Sequence, residues 1–224
     1  MEYWEKNTLD KIIILFPGSF KPFHIGHLIL LHKYIKYAQE HYSDVQIEVK
    51  IIISKKDRDG IEAPTSLTFI NQIRKYITSD FTLWYRVKTQ KFVNYTKFSV
   101  DVDLCKYNSP IQECYNIVNS SNSQYVKFMI VSSDKSFDLN RQNEMIRQFN
   151  YAGKYFKGFN KILKVNSGVY QQVGVNGKTM NATYLRNCVQ CGARDEFKKC
   201  YDFIDDQTIV EKYYISLKKC YDKN

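Results

Sequence analysis

The segment Phe16-Pro17-Gly18-Ser19-Phe20-Lys21-Pro22-Phe23-His24-Ile25-Gly26-His27 joins two stretches of different periodicity, and that junction constrains the fold more than any other feature of the chain. Before it, Ile12 to Phe16 is a short continuous run of β-branched and aromatic residues, the pattern of a strand buried on both faces. Pro17-Gly18 is expected to stop that strand. After it, Leu28, Leu31, Ile35 and Ala38 recur at i, i+3, i+7 and i+10, the single apolar stripe of a helix starting near His27, with Lys33, Lys36 and Gln39 on its other side. The unit is therefore strand, glycine turn, helix. A turn of this kind aims backbone N–H groups and the positive end of the helix dipole at one point, which suits a phosphate. Lys21, His24 and His27 add cationic or hydrogen-bonding groups there. Gly18 is expected to let the chain turn where a Cβ would clash, and Gly26 to leave the first helical turn bare for a flat base.

Gly18 to His27 resembles the G-S-F-x-P-x-H-x-G-H signature of the nucleotidyltransferase superfamily, which includes nicotinamide mononucleotide, phosphopantetheine and FMN adenylyltransferases and, in a looser form, the cytidylyltransferases. The resemblance implies a Rossmann-like α/β fold, a doubly wound parallel sheet of strand order 3-2-1-4-5. It also implies that Pro17, Gly18, Ser19, Phe20 and Gly26 touch the nucleotide while Lys21, His24 and His27 act on its phosphates. A second motif of that family, I-S-x-T-x-I/L-R, is similar to Met180-Asn181-Ala182-Thr183-Tyr184-Leu185-Arg186. By that likeness Thr183 would bind the β- and γ-phosphates and Arg186 the departing pyrophosphate. Asn181 stands where the family usually has serine. An amide can still cap and donate, so the site is expected to be altered rather than lost.

The rest of the chain is consistent with one α/β unit. Its 224 residues suffice for a full core, with residues 1–190 as the main domain and 191–224 as a helical extension packed on it. Thirty-three Lys and Arg against 23 Asp and Glu give a net charge of +10, suited to a polyanionic ligand. The basic residues are dispersed, however, so charge alone does not choose among ATP, nucleic acid and a solvated surface. The polar N-terminus and strand-length apolar runs carry no sign of a signal peptide or membrane span, and the expectation is a soluble, cytoplasmic protein without membrane contact. Six cysteines in such a setting read as reduced thiols. Cys188 and Cys191, with Cys200 and Cys220, include one close pair where a four-cysteine zinc site usually has two.

Further strands are expected at Val45–Ile53, 98–104, Tyr125–Val131 and Ile162–Val165. Thr65 or Ser66 is expected to cap a covering helix, Asn108-Ser109-Pro110 to open another, and a third to lie around Leu139–Phe149. Residues 81–96 read as an inserted hairpin or rim. The loop Ser54–Gly60 lies at the C-terminal end of the second strand, the functional edge of a doubly wound sheet. Lys55 and Arg58 there, with Ser109 and Asp134, are the candidates for binding an acceptor. Lys55 and Arg58 serve equally as solvated loop charges, and Asp134 equally as a helix cap.

The activity implied by the resemblance is transfer of a nucleoside monophosphate from a triphosphate to a phosphorylated acceptor, releasing pyrophosphate. The acceptor oxygen is already anionic near neutral pH, so no protein base is needed, and the chain offers no Cys-His or Ser-His-Asp constellation. Mg²⁺ would be carried mainly by the triphosphate. The proline after Lys21 and the ending x-Leu-Arg look more like the adenylyltransferases, with ATP as substrate, than the cytidylyltransferases, with CTP. Lys21 stands where many relatives carry Asp or Gln. The first motif, Arg58-Asp59-Gly60 and Ser109-Pro110 also look like small stand-alone members from phages and large DNA viruses. A class I aminoacyl-tRNA synthetase shares H-x-G-H, but this chain lacks the length for an anticodon module. The remaining alternative is a non-catalytic nucleotide- or nucleic-acid-binding module, in which Trp84, Tyr85, Lys88, Lys91, Tyr95 and Lys97 would stack bases and contact phosphates.

Overall fold

The computed structural model describes residues 9–42, 44–78, 98–133, 136–151, 161–165, 174–175 and 178–223. The expected hairpin at 81–96 and Asp134 lie outside the described residues. Four parallel strands form the central sheet: β1 (Lys11–Gly18), β2 (Gln46–Ile53), β3 (Phe98–Leu104) and β4 (Val126–Ile130), in the order β3-β2-β1-β4. The architecture is α/β and compatible with a Rossmann-like fold. Ile14 faces Val49 on one side of β1 and Met129 on the other, so β1 is central, as its unbroken apolar run requires. Beyond β4, Ile162 makes a single parallel bridge to Phe128, with Phe128 N–H donating to Lys161 O at 2.9 Å and Leu163 N–H to Phe128 O at 2.8 Å.

Helices cover both faces. Alternation along the strands sends Ile12, Ile14 and Phe16 of β1, Ile47, Val49, Ile51 and Ile53 of β2, and Met129 of β4 into the larger core. That core is closed by α1 (Ile25–His41), α2 (Ala63–Gln72), α3 (Arg74–Thr78) and the C-terminal helices. Leu15, Ile52, Phe128 and Ile130 point the other way, against α4 (Pro110–Ser120) and α5 (Ser136–Ile146), which runs into a π-helical turn over Arg147–Tyr151. A short antiparallel pair, β5 (Gly174–Val175) and β6 (Lys178–Thr179), leads to α6 (Ala182–Gln190), α7 (Arg194–Lys199) and α8 (Gln207–Asp222). The C-terminal helices share the main core: the Phe69 ring of α2 stacks on Tyr213 of α8 at 3.7 Å and 5°.

Three boundaries differ from the sequence expectation. Pro17 and Gly18 do not stop β1 but continue it, in register with Ile52 and Ile53. A parallel edge on that side needs no N–H from Pro17, so the ring is accommodated. Helix α1 begins at Ile25 rather than near His27, because His24 supplies the cap. Helix α2 begins at Ala63 behind Glu62, which makes no side-chain cap bond, with proline in the first turn. Ser66 is therefore interior to α2 and Thr65 does not cap it. No described helix is long and apolar enough to cross a membrane.

Candidate functional site

The turn after β1 is held by contacts that converge from distant parts of the chain. Phe20 adopts φ 54°, a left-handed backbone that a bulky residue takes only under constraint, costing roughly 1–2 kcal/mol. Its ring folds back over Gly18, where a Cβ would stand 2.6 Å from the Phe20 Cζ. Gly18 is thus needed for a close approach by Phe20. Ser66 of α2 donates its hydroxyl to Phe20 O at 2.8 Å. Two tyrosines of the C-terminal region grip the next peptide groups: Tyr201 Oη donates to Phe23 O at 2.5 Å, and Phe23 N–H donates to Tyr213 Oη at 3.3 Å. Strain of this kind clusters at functional sites, where surrounding structure enforces it.

His24 and His27 form a reciprocal cap at the start of α1. Gly26 N–H donates to His24 Nδ1 at 3.1 Å, and His24 N–H donates to His27 Nδ1 at 3.2 Å. The rings stack at 3.7 Å and 27°. Phe16, Phe20 and Phe23 surround His27, with the Phe20 ring edge-on at 5.1 Å. Because each Nδ1 accepts from the backbone, the neutral form of each ring carries its proton on Nε2. Both imidazoles are thereby set as Nε2–H donors. His24 is buried and His27 half-buried. Gly26 is itself buried rather than presented to solvent as the bare surface expected for a base.

The second segment closes on the first through Arg186. Asn181 caps α6, its Oδ1 accepting from Tyr184 N–H at 2.9 Å, as serine would. Arg186, on α6 and buried, donates from Nη1 to Lys21 O at 2.9 Å across 165 residues of sequence. Its Nη2 donates to Thr183 Oγ1 at 3.1 Å, and its Nε lies 3.0 Å from Asp59 Oδ2. Of the five guanidinium N–H groups, these contacts use three. Asn181 and Thr183 are exposed, so the start of α6 opens to solvent beside the β1 turn. Arg186 thus joins Thr183 to the Lys21 backbone, three residues before His24.

Lys21 does not lie open to a ligand. It is 1 % exposed, and its Nζ donates to Ser54 O at 2.8 Å and to Lys56 O, tying the turn to the loop after β2. Burial pulls its ammonium below the ordinary lysine range, against the opposing pull of Asp57. Pro17 and Ser19 are half-buried on the turn. Among the acceptor candidates, Lys55 and Arg58 are exposed, with Lys55 Nζ 3.5 Å from Lys106 O and Arg58 backbone-paired with Ile61. Ser109 caps α4, accepting from Gln112 N–H at 3.1 Å. Arg58 Nε lies 3.9 Å from Asp59 Oδ2, the same oxygen that stands 3.0 Å from Arg186 Nε, so of the three Arg58 is beside the Arg186 ion pair.

No family model, curated protein or solved structure matches this chain.

Two participants were not legible in the sequence. Asp59, on the loop after β2, sits at φ 50° beside Gly60 at φ 78° and pairs with Arg186. Tyr221, in the last turn of α8, has a buried hydroxyl that makes no hydrogen bond among the described residues. Burial raises its pKa, Arg186 lowers it and Asp59 raises it, so the phenol lies within the field of the same ion pair. Asp59 belongs to the quoted stretch Arg58-Asp59-Gly60, but nothing in that stretch points to Arg186, and Tyr221 belongs to no motif. The described residues contain no group of three His, Cys, Asp or Glu able to hold a metal. Cys188 is buried and Cys191 exposed, and neither forms a disulfide among the described residues.

Proposed function

We propose that this chain is a nucleotidyltransferase of Rossmann-like fold, with order 3-2-1-4-5 completed by residues 161–165, acting in the cytoplasm. In this reading it transfers AMP from ATP to the phosphate of an acceptor such as a mononucleotide and releases pyrophosphate. The observation that carries the reading is the Arg186 bridge: one buried guanidinium links the strained β1 turn to the open start of α6. An arrangement of two helix N-termini, two Nε2–H imidazoles and a fixed arginine suits a polyphosphate better than any neutral ligand.

The acceptor's phosphate oxygen attacks the α-phosphorus, a P–O bond forms, and the bond to the β-bridging oxygen breaks with its electron pair leaving on pyrophosphate. No proton has to move. The protein's task is to align attacking and leaving oxygens and to offset charge as it develops. His24 and His27 donate from Nε2 to phosphate oxygens, Thr183 and the exposed first turn of α6 receive the terminal phosphates, and Arg186 steadies the leaving pyrophosphate. Lys21 acts at one remove, fixing the turn to the β2 loop. In this reading Mg²⁺ would be carried by the triphosphate, where it would screen phosphate charge beside Arg186 and the two imidazoles.

The test is pyrophosphate release by purified protein with Mg²⁺ and ATP or CTP, against nicotinamide mononucleotide, phosphopantetheine, FMN and choline phosphate. Release with ATP and one acceptor is expected. Release only with CTP and choline phosphate would make it a cytidylyltransferase. No release with any pair, alongside salt-dependent RNA or DNA binding, would replace the enzyme by a nucleic-acid-binding module.

A further inference from the structure

We propose that Asp59 is an internal counter-anion of the candidate phosphate site: it occupies the Nε edge of Arg186 until a polyphosphate displaces it, and so sets how tightly that polyphosphate is held. The inference rests on the reading of Arg186 as a phosphate ligand. Three observations support it. The two partners are unequal, since the Arg186 side chain is 10 % exposed while that of Asp59 is 54 % exposed. Arg186 is held independently by two neutral acceptors, Lys21 O and Thr183 Oγ1, so the guanidinium keeps its place when the carboxylate leaves. The Tyr221 hydroxyl, buried and without a hydrogen bond among the described residues, lies in the field of the same pair and is a donor that a phosphate oxygen could engage.

The loop that presents Asp59 is suited to exchange. Its base is tied down by Lys21 through Ser54 O and Lys56 O, and Arg58 and Ile61 bridge its end, with N–H to O distances of 3.2 and 3.0 Å. Asp59 and Gly60 form the left-handed tip between these ties. The exposed Asp59 carboxylate also lies 3.9 Å from Arg58 Nε, so on leaving Arg186 it keeps a cationic partner on its own loop. A carboxylate that oriented Arg186 for catalysis would predict the opposite sign: its removal would loosen the guanidinium and weaken anion binding.

Asp59→Asn separates the two. Asparagine tolerates the left-handed backbone and keeps the side-chain shape, so only the charge is lost. Calorimetric titration with inorganic pyrophosphate and tripolyphosphate should show binding to Asp59→Asn about three- to tenfold tighter than to the wild type. The gain should shrink at high salt. Arg186→Gln should abolish binding in both backgrounds, and Tyr221→Phe should weaken it. Equal or weaker binding by Asp59→Asn, with wild-type binding intact, overturns the counter-anion role and leaves the phosphate site standing. No binding to either protein overturns both. Tighter binding without nucleotidyl transfer supports the counter-anion and sinks only the transferase reading.

Discussion

Helices α1 and α6 begin in similar ways locally and very differently in their surroundings. Each has an extended cap residue whose side chain accepts from a first-turn amide, His24 at −146°, 170° and Asn181 at −150°, 165°. The α1 cap is buried under stacked imidazoles and three phenylalanine rings, and the turn before it is gripped by Ser66, Tyr201, Tyr213 and Arg186. The α6 cap is exposed and held by its own amide. One end is therefore capped within tertiary packing and the other at an exposed residue. In the proposed transferase, a rigid wall would serve to align two reacting oxygens and an open wall to release pyrophosphate.

The strongest way to break this contrast is to remove an imidazole from the rigid wall. His27→Ala or His24→Ala should lower transfer by about 10²–10³, the usual effect of deleting one oriented donor to developing charge. The readout is initial rate of pyrophosphate release at saturating ATP, with chemical denaturation checking that the loss of the cap costs only about 1 kcal/mol. Full activity in both variants would end the transferase reading.

His32, further along α1, tests how burial within the helix layer affects the folded state. His32 is deep in the main core, and burial holds its imidazole at about 4, below the ordinary 6.5. Between those values the unfolded chain binds the proton and the folded one does not, so stability must fall as pH drops from about 6.5 towards 4. The span corresponds to about 3 kcal/mol at most. Urea midpoints measured across that window should decline, and His32→Phe should flatten the decline.

These contrasts also mark what the sequence made legible. Strands β1, β2 and β4 are legible as stretches rich in apolar residues and β3 by the alternation of Phe98, Val100, Val102 and Leu104 with polar residues, while β1 beside β4 is what the resemblance implies. The sequence offers Asn181 or Thr183 as the cap of α6, because capping spans only three residues, and the structure has Asn181 there. Ser66 was misassigned as a cap by the same local logic, since its true partner, Phe20 O, lies 46 residues away. Lys21 likewise looked like a phosphate cation because sequence shows a charge and a turn but not the carbonyls of Ser54 and Lys56 that surround it. Helical spacing marks Tyr201 and Tyr213 as core-facing, but their hydroxyl contacts to Phe23, like those of Asp59 and Tyr221, depend on tertiary folding.

Tyr201→Phe probes the same wall from the C-terminal side. It removes the donor to Phe23 O and leaves a buried carbonyl unpaired, which should cost about 1–3 kcal/mol in urea unfolding. Because Phe23 lies next to His24, the rate should fall together with stability. A stability loss with no change in rate would mean that the C-terminal grip serves the core and not the turn.

The smallest effect belongs to the open wall. Asn and Ser are equivalent caps, so Asn181→Ser should leave unfolding free energy within a few tenths of a kcal/mol and transfer within about threefold, whereas Asn181→Ala should lose about 1 kcal/mol. The serine variant restores the residue usual in the second motif, and its near neutrality would show that the amide meets the same demand as the hydroxyl: one acceptor for Tyr184 N–H. A large gain in rate for Asn181→Ser would mean instead that the cap residue itself touches the terminal phosphates. The open wall would then be tuned by its side chain as well as by its exposed backbone, and the division between a packed end and a locally capped end would have to be redrawn at α6.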